Sequence, residues 1–125
     1  MNFPENLKYS TDHEWVKVEG NIAVIGVTDH AQSELGDIAY VDIAEDTTTL
    51  TANEVFGTIE AVKAVSDLVA PVSGKVVAIN ESLNDDPAVV NDDPYGKGWM
   101  VKVEMSNPAE LDELMDAAAY KNMIG

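Results

Sequence analysis

The chain contains no cysteine and no arginine. Without cysteine there is no disulfide, no thiolate nucleophile and no Cys-based metal site, so any sulfur redox chemistry has to be imported. Every basic side chain is a lysine, seven in all against 23 acidic residues, and the net charge is −16. A field of that sign repels phosphate backbones, which argues against nucleic-acid binding. It suits basic protein partners or a plainly solvated face. Long apolar runs are also missing: no stretch approaches the roughly 18 residues that span a bilayer, and Met1 to Asn6 lacks a basic n-region. A cytoplasmic protein without a membrane partner is expected, and the mature form of a mitochondrial protein fits equally.

What remains is an ordinary globular composition, 46% hydrophobic and 24% charged over 125 residues, which points to one domain spanning 1–125. His13 to Val18 and Ile22 to Val27 read as strands around the turn triplet Glu19-Gly20-Asn21. Thr28-Asp29 can cap a short helix through Leu35, with Gly36 as its stop. Asp37 to Ile43 is apolar in both registers and predicts a strand covered on both sides. Glu54 to Val62 predicts another strand, interrupted by Lys63, and Leu68 to Val72 with Lys75 to Ile79 predict a second hairpin around Ser73-Gly74.

Asn84 to Gly98 reads as a turn-rich loop, and Trp99 to Met105 as a strand with Trp99, Val101, Val103 and Met105 on its buried face. Asn107-Pro108-Ala109-Glu110 predicts a helix start, with Asn107 as the cap and Leu111, Leu114 and Met115 as the apolar stripe. Asp116 to Gly125 predicts a second short helix that turns Ala119, Tyr120 and Met123 toward the sheet. The sum is an all-β core, sandwich or flattened barrel, with peripheral short helices and a C-terminal helical segment.

The chemistry-bearing segment is Gly57 to Asp67, GTIEAVKAVSD. Lys63 stands alone between Val62 and Ala64, so apolar surface is spent beside an exposed charge with no local gain. Such a turn makes sense if another protein reads it.

The runs Glu60 to Leu68 (EAVKAVSDL) and Ala70 to Asn80 (APVSGKVVAIN) resemble the attachment segment of the H protein of the glycine cleavage system, a lipoyl carrier family. His13 to Asn21, Gly26 to Ile38, Asn91 to Val103 and Leu111 to Tyr120 resemble the same family, so the likeness spans nearly the whole chain. Departures are Ala61, where the family commonly has Ser, the Thr-rich connection Thr47 to Thr51, and the high net charge. Biotin carriers resemble this fold too but flank their lysine with Met, and lipoyl domains of 2-oxo acid dehydrogenase complexes usually place an acidic residue just before it. Val62 and Ala64 match neither.

The resemblance implies a lipoyl/biotinyl-carrier-like fold, a monomer, and lipoate held as an amide on Lys63. It implies a carrier that is not itself an enzyme. The partners are a glycine decarboxylase (P protein) that loads an aminomethyl group, an aminomethyltransferase (T protein) that removes it, a dihydrolipoyl dehydrogenase (L protein) that reoxidises the dithiol, and lipoylating enzymes. Glu60 and Asp67 bracket the turn, either as groups that a lipoylating enzyme or a loaded amine contacts or as turn-edge carboxylates that keep the hairpin soluble. Glu14, beside His13 and Trp15, can line a cleft that holds a primary ammonium, or be an exposed strand residue. His30 reads as a helix-surface histidine, and Asp85-Asp86 and Asp92-Asp93 as turn residues without calcium-loop spacing. Two other functions compete: Lys63 as a Schiff-base nucleophile, which needs burial or a nearby cation, and an unmodified interaction module.

Overall fold

The first hairpin forms where alternating apolar residues meet a tight turn. β1 (Lys8–Tyr9) leads into β2 (Glu14–Glu19) and β3 (Ile22–Val27), and β2 and β3 pair around Gly20, whose φ of 64° lies in the left-handed region. The computed structural model describes residues 2–125. α1 (Asp29–Leu35) follows at once, its N-terminus satisfied by Thr28 Oγ1, which accepts from Ala31 N, and its end marked by Gly36 at φ 82°. β4 (Ile38–Asp42), β5 (Thr49–Leu50), β6 (Val55–Ala61), β7 (Val65–Val69) and β8 (Gly74–Ile79) come next, then the one-turn helices α2 (Ser82–Asp85) and α3 (Val89–Asp92). β9 (Val101–Met105), a 3-10 helix over Pro108–Glu113 and α4 (Ala117–Ile124) complete the order.

One sheet runs β1-β2-β3-β9-β8-β5 and a second runs β4-β6-β7. Together they form a β-sandwich of the lipoyl-carrier type, with the short helices at its edges. Ile25, Val72, Val101 and Val103 pack in one apolar cluster and Ile38, Val41, Ile59 and Leu68 in another, and Phe56 packs against both. On the outer face of β3, Val24 joins Leu7, Tyr9, Trp15, Ala117 and Tyr120. β3 is therefore buried on both sides, which explains its nearly unbroken apolar run.

Several expectations are corrected. The second hairpin does not form around Ser73-Gly74: β8 pairs with β5 and β9, while β7 starts at Val65 and pairs with β6. Lys63 thus stands at the tip of a hairpin rather than between two hairpins. β4 is covered on one side only, because a register shift between Ile38 and Tyr40 turns Ile38 and Val41 inward and leaves Ala39 and Tyr40 exposed. The loop from Asn84 folds partly into α2 and α3. Met100 is buried although alternation places it outside, since it precedes the strand.

At the C-terminal end, Asn107 makes no capping bond and the helix after it is 3-10. Glu110 instead accepts from Ser73 N and Ser73 Oγ at 2.7 and 2.9 Å, tying that helix to the Ser73 corner. In α4 the inward residues are Ala117 and Tyr120, while Ala119 and Met123 face solvent; Asp116 caps the helix by accepting from Ala119 N.

Gly26 allows the closest packing on this side of the sheet. A Cβ there would lie 2.7 Å from the indole of Trp15, which is fully buried and donates Nε1–H to Pro94 O at 2.9 Å. The ring cannot turn away without losing that bond. Gly26→Ala is expected to cost about 1–3 kcal/mol by overpacking, read as a lower urea midpoint at unchanged slope.

Candidate functional site

The β6–β7 turn is held at both feet. Ala61 N donates to Ala64 O at 2.7 Å across the turn, and Val62 N donates to Asp37 O at 3.0 Å, joining the turn to the corner after α1. Val62 is 80% exposed and Val65 65% exposed, so the lysine is flanked by apolar side chains that face water. Lys63 is itself exposed, and its stem lies over Gly36. A Cβ at Gly36 would come within 3.0 Å of Lys63 Cε and 3.5 Å of Nζ. Glycine there gives the stem room and also supplies the positive φ.

The elements that meet at this turn also wall a cleft of about 450 Å³. α1 contributes His30, Ala31, Glu34 and Leu35, spaced to share one helix face, and β7 contributes Ser66, Asp67 and Leu68. Asp12, His13, Glu14, Val27 and Ile59 complete it between those walls.

Glu14 is the unusual group. It is 1% exposed, which excludes the exposed-strand reading. Its Oε2 accepts from Val69 N at 2.7 Å, and its Oε1 has no hydrogen-bond partner among the described residues. Burial pushes its carboxyl up to about 9, offset in part by the Val69 bond, and the nearby Asp12 charge pushes the same way as burial. A buried carboxylate oxygen with an unused acceptor position, lining a cleft, suits a primary ammonium that donates to it.

His13 is held at the rim with φ of 66°. Its Nδ1 is 2.9 Å from Tyr120 Oη, which is 2.8 Å from Thr28 Oγ1. Thr28 Oγ1 already accepts from Ala31 N at 3.1 Å. With Thr28 Oγ1 accepting from Ala31 N, its hydroxyl can donate to Tyr120 Oη, and the Tyr120 hydroxyl can donate to a neutral His13 Nδ1. Desolvation, and then the His30 ring 5.0 Å away, lower the His13 pKa in the same sense.

The structure brings Glu14 and Asp67 to the cleft and places Lys63, Val62 and Ala64 at the turn beside it. Glu60 is exposed on β6, paired with Tyr40 and Val65, and is not part of the cleft. His30, expected on a free helix surface, lines the cleft and faces His13. Asp12, Glu34 and Tyr120 were not singled out by the sequence as site residues. The only hint of a special position beside Asp12 was a His-Glu-Trp run that opens a strand. Among the described residues no three His, Asp or Glu side chains converge as metal ligands. No described helix is long and apolar enough to cross a membrane.

The family model for the glycine cleavage H-protein matches residues 7–125. A glycine cleavage system H protein of Bacteroides fragilis is 53% identical over 124 residues, covering 99% of this chain and 98% of the relative. Another, from Anoxybacillus flavithermus, is 56% identical over the same length, with the same coverage of both. The crystal structure of a glycine cleavage system H protein from Mycobacterium marinum superposes with a TM-score of 0.90 at 36% identity, covering 98% of this chain and 99% of that one. With likeness over the full fold and the full length, the chain belongs to the glycine cleavage H-protein family.

Proposed function

We propose that the chain is a non-catalytic carrier in the glycine cleavage system, a single cytoplasmic domain over residues 1–125 acting as a monomer, with lipoate joined as an amide to Lys63 Nζ. The observation that carries this reading is a lysine presented at a pinned hairpin tip, beside a cleft whose buried carboxylate has one oxygen unpartnered. The residues fit the group. Lys63 forms no ion pair among the described residues, its exposed neighbours Val62 and Ala64 let an enzyme reach Nζ, and the chain has no thiol to divert a reduced arm into a mixed disulfide.

Lipoate supplies a strained disulfide that accepts a carbon nucleophile and later leaves as a thiol. The partners are then the P protein, which loads an aminomethyl group, the T protein, which removes it, and the L protein, which restores the disulfide, besides the enzymes that attach lipoate. The chain's own residues present and shelter. Lys63 sets the attachment point, Glu14 and Asp67 offer acceptors to an amine in the cleft, and α1 and β7 wall it on two sides. Glu60, exposed on β6, is open to contact by a lipoylating enzyme.

Intact mass and peptide mapping of the protein from its native host test this reading. A lipoyl increment on Lys63 is expected. An unmodified mass, or a group mapping to Lys75 or Lys97, would show the attachment assignment to be wrong.

A further inference from the structure

We propose that Asn91, on the one-turn helix α3, is a positioning residue for Lys63: its side-chain amide fixes the corner to which the lysine turn is pinned, and so sets how the lysine meets the enzyme that acylates it. The inference rests on the carrier reading only for what Lys63 receives.

The Asn91 amide grips the corner on both sides of Asp37. Its Nδ2 donates to Gly36 O at 2.9 Å, and its Oδ1 accepts from Ile38 N at 2.9 Å. A carbonyl only accepts and an N–H only donates, so these two backbone partners fix which end of the amide faces which. The second Nδ2 proton goes to Gln32 Oε1 at 2.9 Å, and Gln32 Nε2 in turn donates to Asp29 Oδ1 at 2.7 Å. Asn91 is thereby joined to α1, to the corner after it and to the first residue of β4. Its own support is firm, because the adjacent Val90 is fully buried in the apolar cluster that contains Ile38.

The corner meets the lysine turn twice. The Asp37 carbonyl accepts from Val62 N at 3.0 Å, and Gly36 lies beneath the Lys63 stem, where an added Cβ would come within 3.0 Å of Cε. Asp37 C=O and Ile38 N–H belong to one trans peptide plane and point in opposite directions. The bond from Ile38 N to Asn91 on one edge of that plane therefore aims the carbonyl on its other edge at Val62 N. Without Asn91 the plane is free to tilt, and the pin on the turn weakens. A looser turn has to be ordered again each time an enzyme binds it, a cost that falls on binding and not on the chemical step.

Asn91→Ala and Asn91→Asp are compared with the wild type and with Gly26→Ala, which strains the packing at Trp15 and leaves the corner alone. Hydrogen exchange on the unmodified chain reads the turn directly. In Asn91→Ala the Val62 amide is expected to exchange about 10-fold faster, and the Ala61 amide, bonded within the turn, at the wild-type rate. Asn91→Asp keeps the bond from Ile38 N and loses both donors, so its Val62 exchange is expected to fall between the two, and it carries the test alone where Asn91→Ala does not fold. With the chain as the varied substrate of a lipoylating enzyme, Asn91→Ala is expected to raise KM about 3–10-fold at unchanged kcat, and Gly26→Ala to change neither. A Val62 amide as protected as in the wild type, an unchanged KM, or an equal rise in KM for Gly26→Ala would overturn the proposal. A wild-type chain that takes up no lipoyl group on Lys63 would defeat the carrier reading alone, since the exchange readout uses neither enzyme nor arm.

Discussion

Lys63→Arg is expected to reduce glycine cleavage to background when the chain is assayed with the P, T and L proteins, and to leave its folding unchanged. Arginine keeps the positive charge and the length of the stem, but its guanidinium stays protonated and cannot be acylated as the lysine amine can. The substitution therefore separates attachment from charge. Lys63 is exposed and its stem touches little beyond Gly36, so the change in stability should stay within about 0.5 kcal/mol. Intact mass of the variant after exposure to a lipoylating enzyme is the companion measurement. Full incorporation into the Lys63→Arg variant, or normal cleavage activity, would remove Lys63 from the mechanism.

Glu14→Gln should change how stability depends on pH more than any other single substitution at the cleft. The folded-state pKa of Glu14, about 9, is above its ordinary 4.5. Between those values the folded chain binds a proton that the unfolded chain does not, so stability falls as pH rises, by up to about 1.4 kcal/mol per unit. The contribution is complete below pH 4.5 and lost as pH climbs through 9. His13 works in the opposite direction, since its lowered pKa removes stability as pH falls, but wild type and variant share it and it cancels in their difference. The amide that replaces the carboxyl can still accept from Val69 N, and it carries no charge to desolvate. The variant should therefore gain on the wild type by about 3–4 kcal/mol between pH 5 and pH 8, measured as urea melts across that range. A difference that stays flat with pH would mean that Glu14 is not a buried acid.

The parts of the fold that were legible in the sequence are those that local chemistry decides. Thr28 through Gly36 is one: a hydroxyl that caps, an acidic first turn and a glycine whose φ is positive specify a helix and both its ends without help from the rest of the chain. The strand β7 was not legible, because Val65, Ser66 and Asp67 are all exposed and show no alternation. Pairing with β6 makes them a strand, and that is a long-range cause. The shift between Ile38 and Tyr40 defeated the period of β4 in the same way. α4 lies within the stretch that Asp116 to Gly125 predicts, but its inward face follows Tyr120, which stacks on Tyr9 at 4.8 Å, a contact spanning most of the sequence.

The site divides along the same line. Lys63 stood out in the sequence because its immediate neighbours are odd for a surface turn and because the whole-chain likeness pointed to it. The cleft is only one of two readings of Glu14 in the sequence, and its walls were not legible. Glu14 is buried through Val69, 55 positions away in the chain, and His13 is oriented through Tyr120, 107 positions away. No local pattern marks a carboxylate whose second oxygen lacks a partner, since that property belongs to several elements at once.

The two bonds that hold the lysine turn, Ala61 N to Ala64 O and Val62 N to Asp37 O, also govern reach. They tie the backbone around Lys63 to two neighbours, so the positions open to whatever the side chain bears are set first by its own torsion angles. Under the carrier reading, successive partner enzymes would meet a similar swept volume at every visit. A substitution that frees either bond would enlarge that volume and dilute the local concentration of the arm's end, slowing every hand-over while leaving each chemical step intact.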